Sequence, residues 1–599
     1  MTTCQRTRFV SPVRTALSAL ALLALTALLR ATGEPMDAII ADYERFVAEA
    51  DPAEAARRKS EPPRQWDSVA PESIAREAEA AAALLERLET AEDARAIDIA
   101  ILRHLLEKRL IAARHDLARI PFTGDSGFHS GPVFAAARMK IGGRKDAEAW
   151  IARLEALPAL FEAHIANMRR GIETGWTAHT DPLATTIDQI REQIGEDPRA
   201  SDLYAPFTRL PDTIAKPDRE RLQRKGAKAV SGAITAYREL LAFMETEYAP
   251  HARAEPGLAS LPGGRKVYAD LLARHTAGAG YSPEEVHALG VEEVARIRGE
   301  MEAIIAEVGF EDGFTAFTEF LRKDSRFYAR TPADLMEKAA MLAKRLDAIL
   351  PRYFGRLPRL PYGLSPVPAS IAPGYTTGRY AQGDPETGRA GTYLVNTYRL
   401  DQRPLYELPA LTAHEAVPGH HLQIALAQEM RTGPRFRRHY YATAFGEGWA
   451  LYAEKLAGEA GIYETPYERF GALSYEMWRA CRLVADTGLH WYGWSRSQAE
   501  MCFIENTALS AHNIETEVTR YIGWPGQASA YKIGELKILA LRAEAKTALG
   551  ERFDIRAFHD HLLAEGSMPL SVLEARMRAW IETQKTGAAS GPAEAPAGP

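Results

Sequence analysis

The chain has 599 residues, 46% apolar, 25% charged and 9% aromatic, with 44 Gly and 36 Pro. That composition excludes collagen-like, low-complexity and intrinsically disordered classes, and the length allows two to four domains or one large multi-lobed body. A net charge of −6 gives no footing for a nucleic-acid binder or a polybasic membrane surface, and three cysteines are too few for a disulfide framework.

The N-terminus carries Arg6, Arg8 and Arg14 ahead of a 15-residue apolar run, Thr15 to Leu29. This is the pattern of an export signal, and the run is shorter than the roughly 20 residues needed to span a bilayer. Cys4 precedes the run, so it is not placed as a lipid-accepting cysteine. The expectation is a cleaved signal over residues 1–33, no stable membrane span afterwards, and a periplasmic or secreted protein. An uncleaved signal would leave it membrane-anchored. Cys481 and Cys502 then face an oxidising compartment; they can pair, but their apolar helical context equally fits buried free thiols.

From about Met36 to Leu350 the text is helical, rich in Ala, Leu, Glu and Arg with apolar residues near 3.6 spacing. Prolines punctuate it. Ser282-Pro283-Glu284-Glu285 and Thr331-Pro332-Ala333-Asp334 read as helix starts, with a capping hydroxyl, Pro in the first turn and acids facing the helix dipole. Between Leu357 and Leu400 the text turns rich in Pro, Gly, Tyr and Thr, and Thr392–Tyr398 reads as a strand. Helices resume to about Lys585, and the tail is rich in Ala, Gly and Pro. The predicted fold is mainly α with a small β-sheet. The divisions are a helical region over 34–355, a chemistry-bearing region over 356–585 and a disordered tail over 586–599.

Of 16 histidines, three fall within eight residues, in LTAHEAVPGHHLQ over 411–423. His414-Glu415 looks like the start of a zinc-peptidase H-E-x-x-H helix, in which two His at i and i+4 share a face and the Glu polarises water. Here Pro418 occupies i+4. On a straight helix His421 shares the face of His414 but lies about 10 Å along the axis, while His420 is closer but points about 120° away. A bend or bulge at Pro418-Gly419 is needed to bring either to one metal. His421 has the better phase and His420 needs the smaller insertion; both remain candidates. Downstream, Glu447 opens an E-G-W-A-L-Y segment that resembles the E-G-F-A-x-Y segment of gluzincin aminopeptidases, whose Glu binds zinc. Glu454 lies two turns further along the same face and suits a supporting role behind a ligand.

Together GTYLVNTY, RPLYELPALTAHEAVPGHHLQ, FGEGWALYAEKL, DTGLHWYGWSRSQA and EVTRYIGWPGQASAYKIGELKI resemble bacterial domain-of-unknown-function family 885, grouped with gluzincin-like metallopeptidases. The resemblance implies a helical body walling a deep cleft, a Zn²⁺ centre, and a donor to the oxyanion from a C-terminal helix. Tyr531 is the first candidate for that donor, with Arg520 and Tyr521 as alternatives that can instead hold a substrate carboxylate. His490 is a candidate transition-state donor or substrate contact. The Thr392–Thr397 strand is expected at a sheet edge, where an extended peptide can pair, with Asn396 as a side-chain contact.

The sequence therefore points to an exported zinc-dependent hydrolase of short peptides. His414, Glu447 and His420 or His421 hold the metal, and Glu415 is the general base. Two alternatives share the site: a zinc amidohydrolase acting on a non-peptide amide or ester, and an inactive metal-binding helical scaffold. Metal content, and turnover before and after chelation, separate them.

Overall fold

The computed structural model describes residues 34–91, 95–369, 372 and 375–586. The signal region over 1–33 and the tail from 587 lie outside the described residues. The chain is 70% helical and 4% strand, which agrees with a mainly α fold carrying a small sheet. Among the described residues no helix is long and apolar enough to cross a membrane.

The expected helix starts form as capping boxes. Ser282 Oγ accepts the Glu285 N–H while Glu285 accepts the Ser282 N–H, and Thr331 and Asp334 do the same. The Pro283–Glu307 helix then lies along the Pro466–Thr487 helix. The division expected near residue 355 is not a boundary between cores. One apolar cluster joins Trp176, Leu272, Val286 and Leu346 to Leu422, Trp449, Ile538 and Leu570. Residues 122–248 do build their own core, around Trp150, Phe161 and Tyr237.

The sheet has three strands, β1 (Tyr362–Pro366), β2 (Gly378–Ala381) and β3 (Gly391–Val395), in the order β1-β3-β2. β3 pairs in parallel with β1 and antiparallel with β2. The strand expected over 392–398 is therefore the central one, with both edges occupied, and it cannot take up a peptide; β2 is an edge strand whose Tyr380 bonds both Glu415 and His421. Cys481 and Cys502 are joined in a disulfide, so of the two readings the sequence leaves open the structure takes the paired one.

Candidate metal centre

The Leu408–Glu415 helix brings His414 and Glu415 to its last turn and stops there, since Ala416 leaves helical geometry at φ −95° and ψ −109°. A tight turn follows, through the cis Val417–Pro418 peptide, and a new helix starts at His420. The Gly419 N–H donates to the Ala413 carbonyl at 3.0 Å, and the His421 N–H to the Ala416 carbonyl at 3.0 Å. A Cβ at Gly419 would sit 2.0 Å from the His414 carbonyl oxygen, so this turn admits only glycine there. From the facing Thr443–Glu459 helix, Trp449 Nε1 donates to the Pro418 carbonyl at 2.8 Å and fastens the turn.

The turn resets the helical phase. His420, not His421, comes to His414, with ring centroids 4.7 Å apart and planes at 89°. Glu447 Oε2 lies 3.6 Å from His414 Nε2 and 3.5 Å from His420 Nε2. One ligand atom from each of His414, His420 and Glu447 falls within 4.8 Å of the others. His421 turns away: its Nδ1 meets the Tyr380 hydroxyl at 2.9 Å and its ring packs on Tyr362. Burial lowers its pKa to about 4, so it is neutral. Periodicity leaves both histidines open; the geometry brings His420 to His414 and Glu447 and takes His421 away from them.

The helix that carries Glu447 is itself set by a close crossing. A Cβ on Gly448 would fall 2.4 Å from the Gly534 carbonyl carbon, and one on Gly534 would fall 1.8 Å from the Ala444 carbonyl oxygen. The Thr443–Glu459 and Ala530–Leu549 helices thus touch backbone to backbone, with Tyr531 three residues before the contact at Gly534.

His414 is anchored from behind. Its Nδ1 lies 2.7 Å from Glu454 Oε1, and Arg479 Nη2 donates to the same oxygen at 3.1 Å. This is the supporting role anticipated for Glu454, and it turns His414 Nε2 toward Glu447. His420 has no such anchor: its Nδ1 is buried without a partner. Glu415 Oε2 accepts the Tyr380 N–H at 2.6 Å, so its carboxylate is held against the outer edge of β2. One residue escaped the sequence reading: the Tyr441 hydroxyl donates to Glu447 Oε1 at 3.0 Å. No motif spacing marks it.

Burial alone would lower His414, but its hydrogen bonds to Glu447 and Glu454 outweigh that and raise it to about 9. Burial would raise Glu447, yet the charge of His420 and the contacts with His414 hold it well below the ordinary carboxylate range. The pocket between two imidazoles and a carboxylate thus demands positive charge, met by a proton on His414. A divalent cation satisfies the same demand, and an N, N, O donor set with a carboxylate behind one imidazole suits Zn²⁺. The residues fit the metal.

The remaining candidates divide. Tyr531 is half-buried under the Arg482 guanidinium at 4.5 Å, its hydroxyl 3.5 Å from Gln527 Nε2. It lies in the neighbourhood of Tyr441, whose hydroxyl bonds Glu447. The others are corrected to internal roles. Asn396 Nδ2 donates to the carbonyls of Ala372, Tyr375 and Thr376 at 3.0, 3.0 and 3.1 Å and clamps that loop. His490 Nδ1 accepts the Leu258 N–H at 3.1 Å and its Nε2 donates to the Tyr521 carbonyl at 3.0 Å, so both ring nitrogens are used. Burial takes His490 down to about 3, and it joins two distant segments as a neutral imidazole. The Tyr521 hydroxyl accepts from Trp478 Nε1 and Arg482 Nε and donates to Glu517. Arg520 donates to Glu517 and Gln527. Neither is free for a substrate carboxylate.

The backbone is similar to that of the putative lipoprotein from Colwellia psychrerythraea, seen in its crystal structure, with a TM-score of 0.80 and 28% identity over 86% of this chain and 92% of that one. A putative lipoprotein of unknown function from Shewanella oneidensis matches with a TM-score of 0.68 and 17% identity, over 85% and 93% of the two chains, and shares the fold. No curated protein matches the chain. The family model described as bacterial protein of unknown function, DUF885, matches residues 52–577, and the chain belongs to that family.

Proposed function

We propose that the protein is an exported, gluzincin-like zinc peptidase acting on short peptides. The observation that carries this reading is the convergence of His414, His420 and Glu447 beside Glu415, with Glu454 behind His414. A purely structural zinc site is usually closed by four protein ligands and has no use for an adjacent carboxylate base. Three donors with Glu415 next to them fit a hydrolytic site better.

Zn²⁺ held there would act as a Lewis acid on the scissile carbonyl and lower the pKa of water toward about 7. Glu415, fixed by the Tyr380 N–H, takes a proton from the attacking water and returns it to the leaving nitrogen. Tyr531, on the adjoining helix, is the donor we assign to the oxyanion. The β2 edge, which presents the Tyr380 N–H to Glu415, lies where an extended peptide can align. Export is supported by the charged and apolar N-terminal segment, by the lipoprotein description of the Colwellia psychrerythraea relative and by the Cys481–Cys502 bond.

The test is zinc content of the purified protein together with a peptide-library digest, with Glu415→Gln as control. Zinc near one equivalent, cleavage lost on chelation, and a drop of at least about a hundredfold in Glu415→Gln are expected. Absence of zinc, or full activity in Glu415→Gln, would sink the reading. Turnover of other amides without peptides would move it to an amidohydrolase.

A further inference from the structure

A cavity of about 400 Å³ opens between the Ala96–Arg114 helix, the Gly264–His275 helix and the chain around Pro569. That volume is in the range of small-molecule sites. Its wall carries Arg103, Lys108 and Arg274, whose side chains make no hydrogen bond or ion pair among the described residues. A fourth cation, Arg114, lies 3.6 Å from Asp270, which also takes His115 Nε2 at 2.6 Å. Glu107 is the other acid in the wall, near Arg103 and Arg114 but bonded to neither. With Arg114 and Asp270 cancelling, three positive charges face one negative charge in a partly desolvated space. Burial lowers both Lys108 and Arg274, because neither has a counter-charge to offset its lost hydration.

Most of the remaining wall is apolar, including Leu110, Ile111, Ala273 and Pro569, with His104 and Ser571 as its other polar members. A small inorganic anion would leave these surfaces unused, and Glu107 opposes a compact dianion. An organic monoanion with an apolar body satisfies both parts of the wall. The cavity wall is linked to the metal centre through the chain. The Tyr440 ring packs edge-on to His104 of the cavity wall at 5.8 Å, and the next residue, Tyr441, bonds Glu447. One dipeptide separates the two.

We propose that this cavity is a carboxylate-binding site, in which Lys108 and Arg274 take the free C-terminal carboxylate of a short peptide with an apolar last side chain. That the carboxylate belongs to a peptide rests on the proposed peptidase function; that the cavity binds an organic carboxylate does not.

The probe is acetyl-Ala-Leu, compared with acetyl-Ala-Leu-amide, which differs only by the charge. Binding to the full-length protein is measured by calorimetry before and after chelation of metal. The free acid should bind at least about tenfold tighter than the amide, from the worth of a charge-assisted hydrogen bond. That preference should survive chelation. Lys108→Met and Arg274→Met, which keep the aliphatic bulk, should each reduce the preference by about tenfold. Equal binding of acid and amide to the wild type would overturn the proposal without any variant. A preference lost on chelation but kept in both variants would place the carboxylate on the metal and overturn it too. Inorganic phosphate displacing the peptide at equal concentration would mark a bare-anion site and refute the organic assignment. None of these outcomes depends on peptide turnover, so failure here is distinct from failure of the peptidase reading.

Discussion

Glu454→Gln is the most direct probe of how the candidate metal centre is held. The 2.7 Å contact of Glu454 with His414 Nδ1 keeps that nitrogen protonated and points Nε2 at Glu447. Glutamine keeps the length and one acceptor oxygen, so shape is conserved while the charge is lost. Outer partners of this kind are worth 10- to 100-fold in metal affinity, about 1.4–2.8 kcal/mol. Arg479 adds a second cost. It donates to the same carboxylate, is 6% exposed, and its Nε and Nη1 have no partner. Removing its counter-charge leaves a buried cation uncompensated, a loss of about 3–5 kcal/mol at most, since the glutamine oxygen still accepts. Zinc affinity would be read by competition with a chromophoric chelator, with thermal unfolding run alongside to establish that the variant is folded. The expected result is a folded protein, lower in Tm, that binds zinc 10- to 100-fold more weakly. A folded Glu454→Gln protein with zinc affinity within about threefold of wild type would refute the argument that this carboxylate tunes the site.

His420→Gln should abolish tight zinc binding, whereas His421→Gln should leave it within a few-fold while lowering stability through the lost contact with Tyr380, both read by the same chelator competition. Trp449→Phe removes a buried hydrogen bond to Pro418 and leaves the carbonyl unpartnered; a loss of about 1–3 kcal/mol in urea unfolding is expected. Asp486 offers a pH test. Burial raises its pKa to about 6, against hydrogen bonds from Tyr268, Gly526 and Ser529 that lower it. The folded state therefore holds this proton more tightly than the unfolded chain, whose carboxyl titrates near 3.9. The stabilisation is complete below about pH 4 and is lost as pH rises through about 6, up to about 3 kcal/mol. The stability difference between wild type and Asp486→Asn should fall over that window; a difference independent of pH between 4 and 7 would contradict the assignment.

What the sequence made legible follows from how local each feature is. Helix starts at Ser282 and Thr331 depend on neighbours three residues away, and both form as read. His414 and Glu447 are legible because each sits in a short contiguous segment that resembles a zinc-peptidase motif, and Glu454 because it lies two helical turns from Glu447 on the same face. The misreadings share one cause. Asn396, His490, Arg520 and Tyr521 are polar residues in motif-rich text, and what they bond decides their role. His490 is bound by Leu258, 232 positions away in the chain, and Asn396 by carbonyls of an irregular loop. A buried polar group must be satisfied somewhere, and residue type alone does not say whether a ligand or the chain's own backbone does it. Strand β3 was recognised by composition, but whether it lay at an edge depended on β1 and β2, whose Gly- and Pro-bearing text carries a weak strand signal.

The histidine cluster shows why phase arguments fail at a break. Along one straight helix His421 is the better match to His414, and counting residues cannot say otherwise. Once the helix ends at Glu415 and restarts at His420, the second ligand no longer inherits its direction from the first helix. Its direction comes from the turn, and the turn is fixed by the close approach of Gly419 to the His414 carbonyl and by the Trp449 bond to Pro418. It follows that residues with no ligand atom should behave as metal-site residues. Gly419→Ala puts a Cβ 2.0 Å from backbone oxygen, which side-chain motion cannot relieve, so the turn must open and carry His420 away from Glu447. Overpacking of this sort costs about 1–3 kcal/mol in folding. Zinc affinity should fall further than that loss accounts for, because ligand geometry is lost with the turn. If Gly419→Ala lowered stability yet bound zinc as the wild type does, His420 would owe its position to something other than this turn.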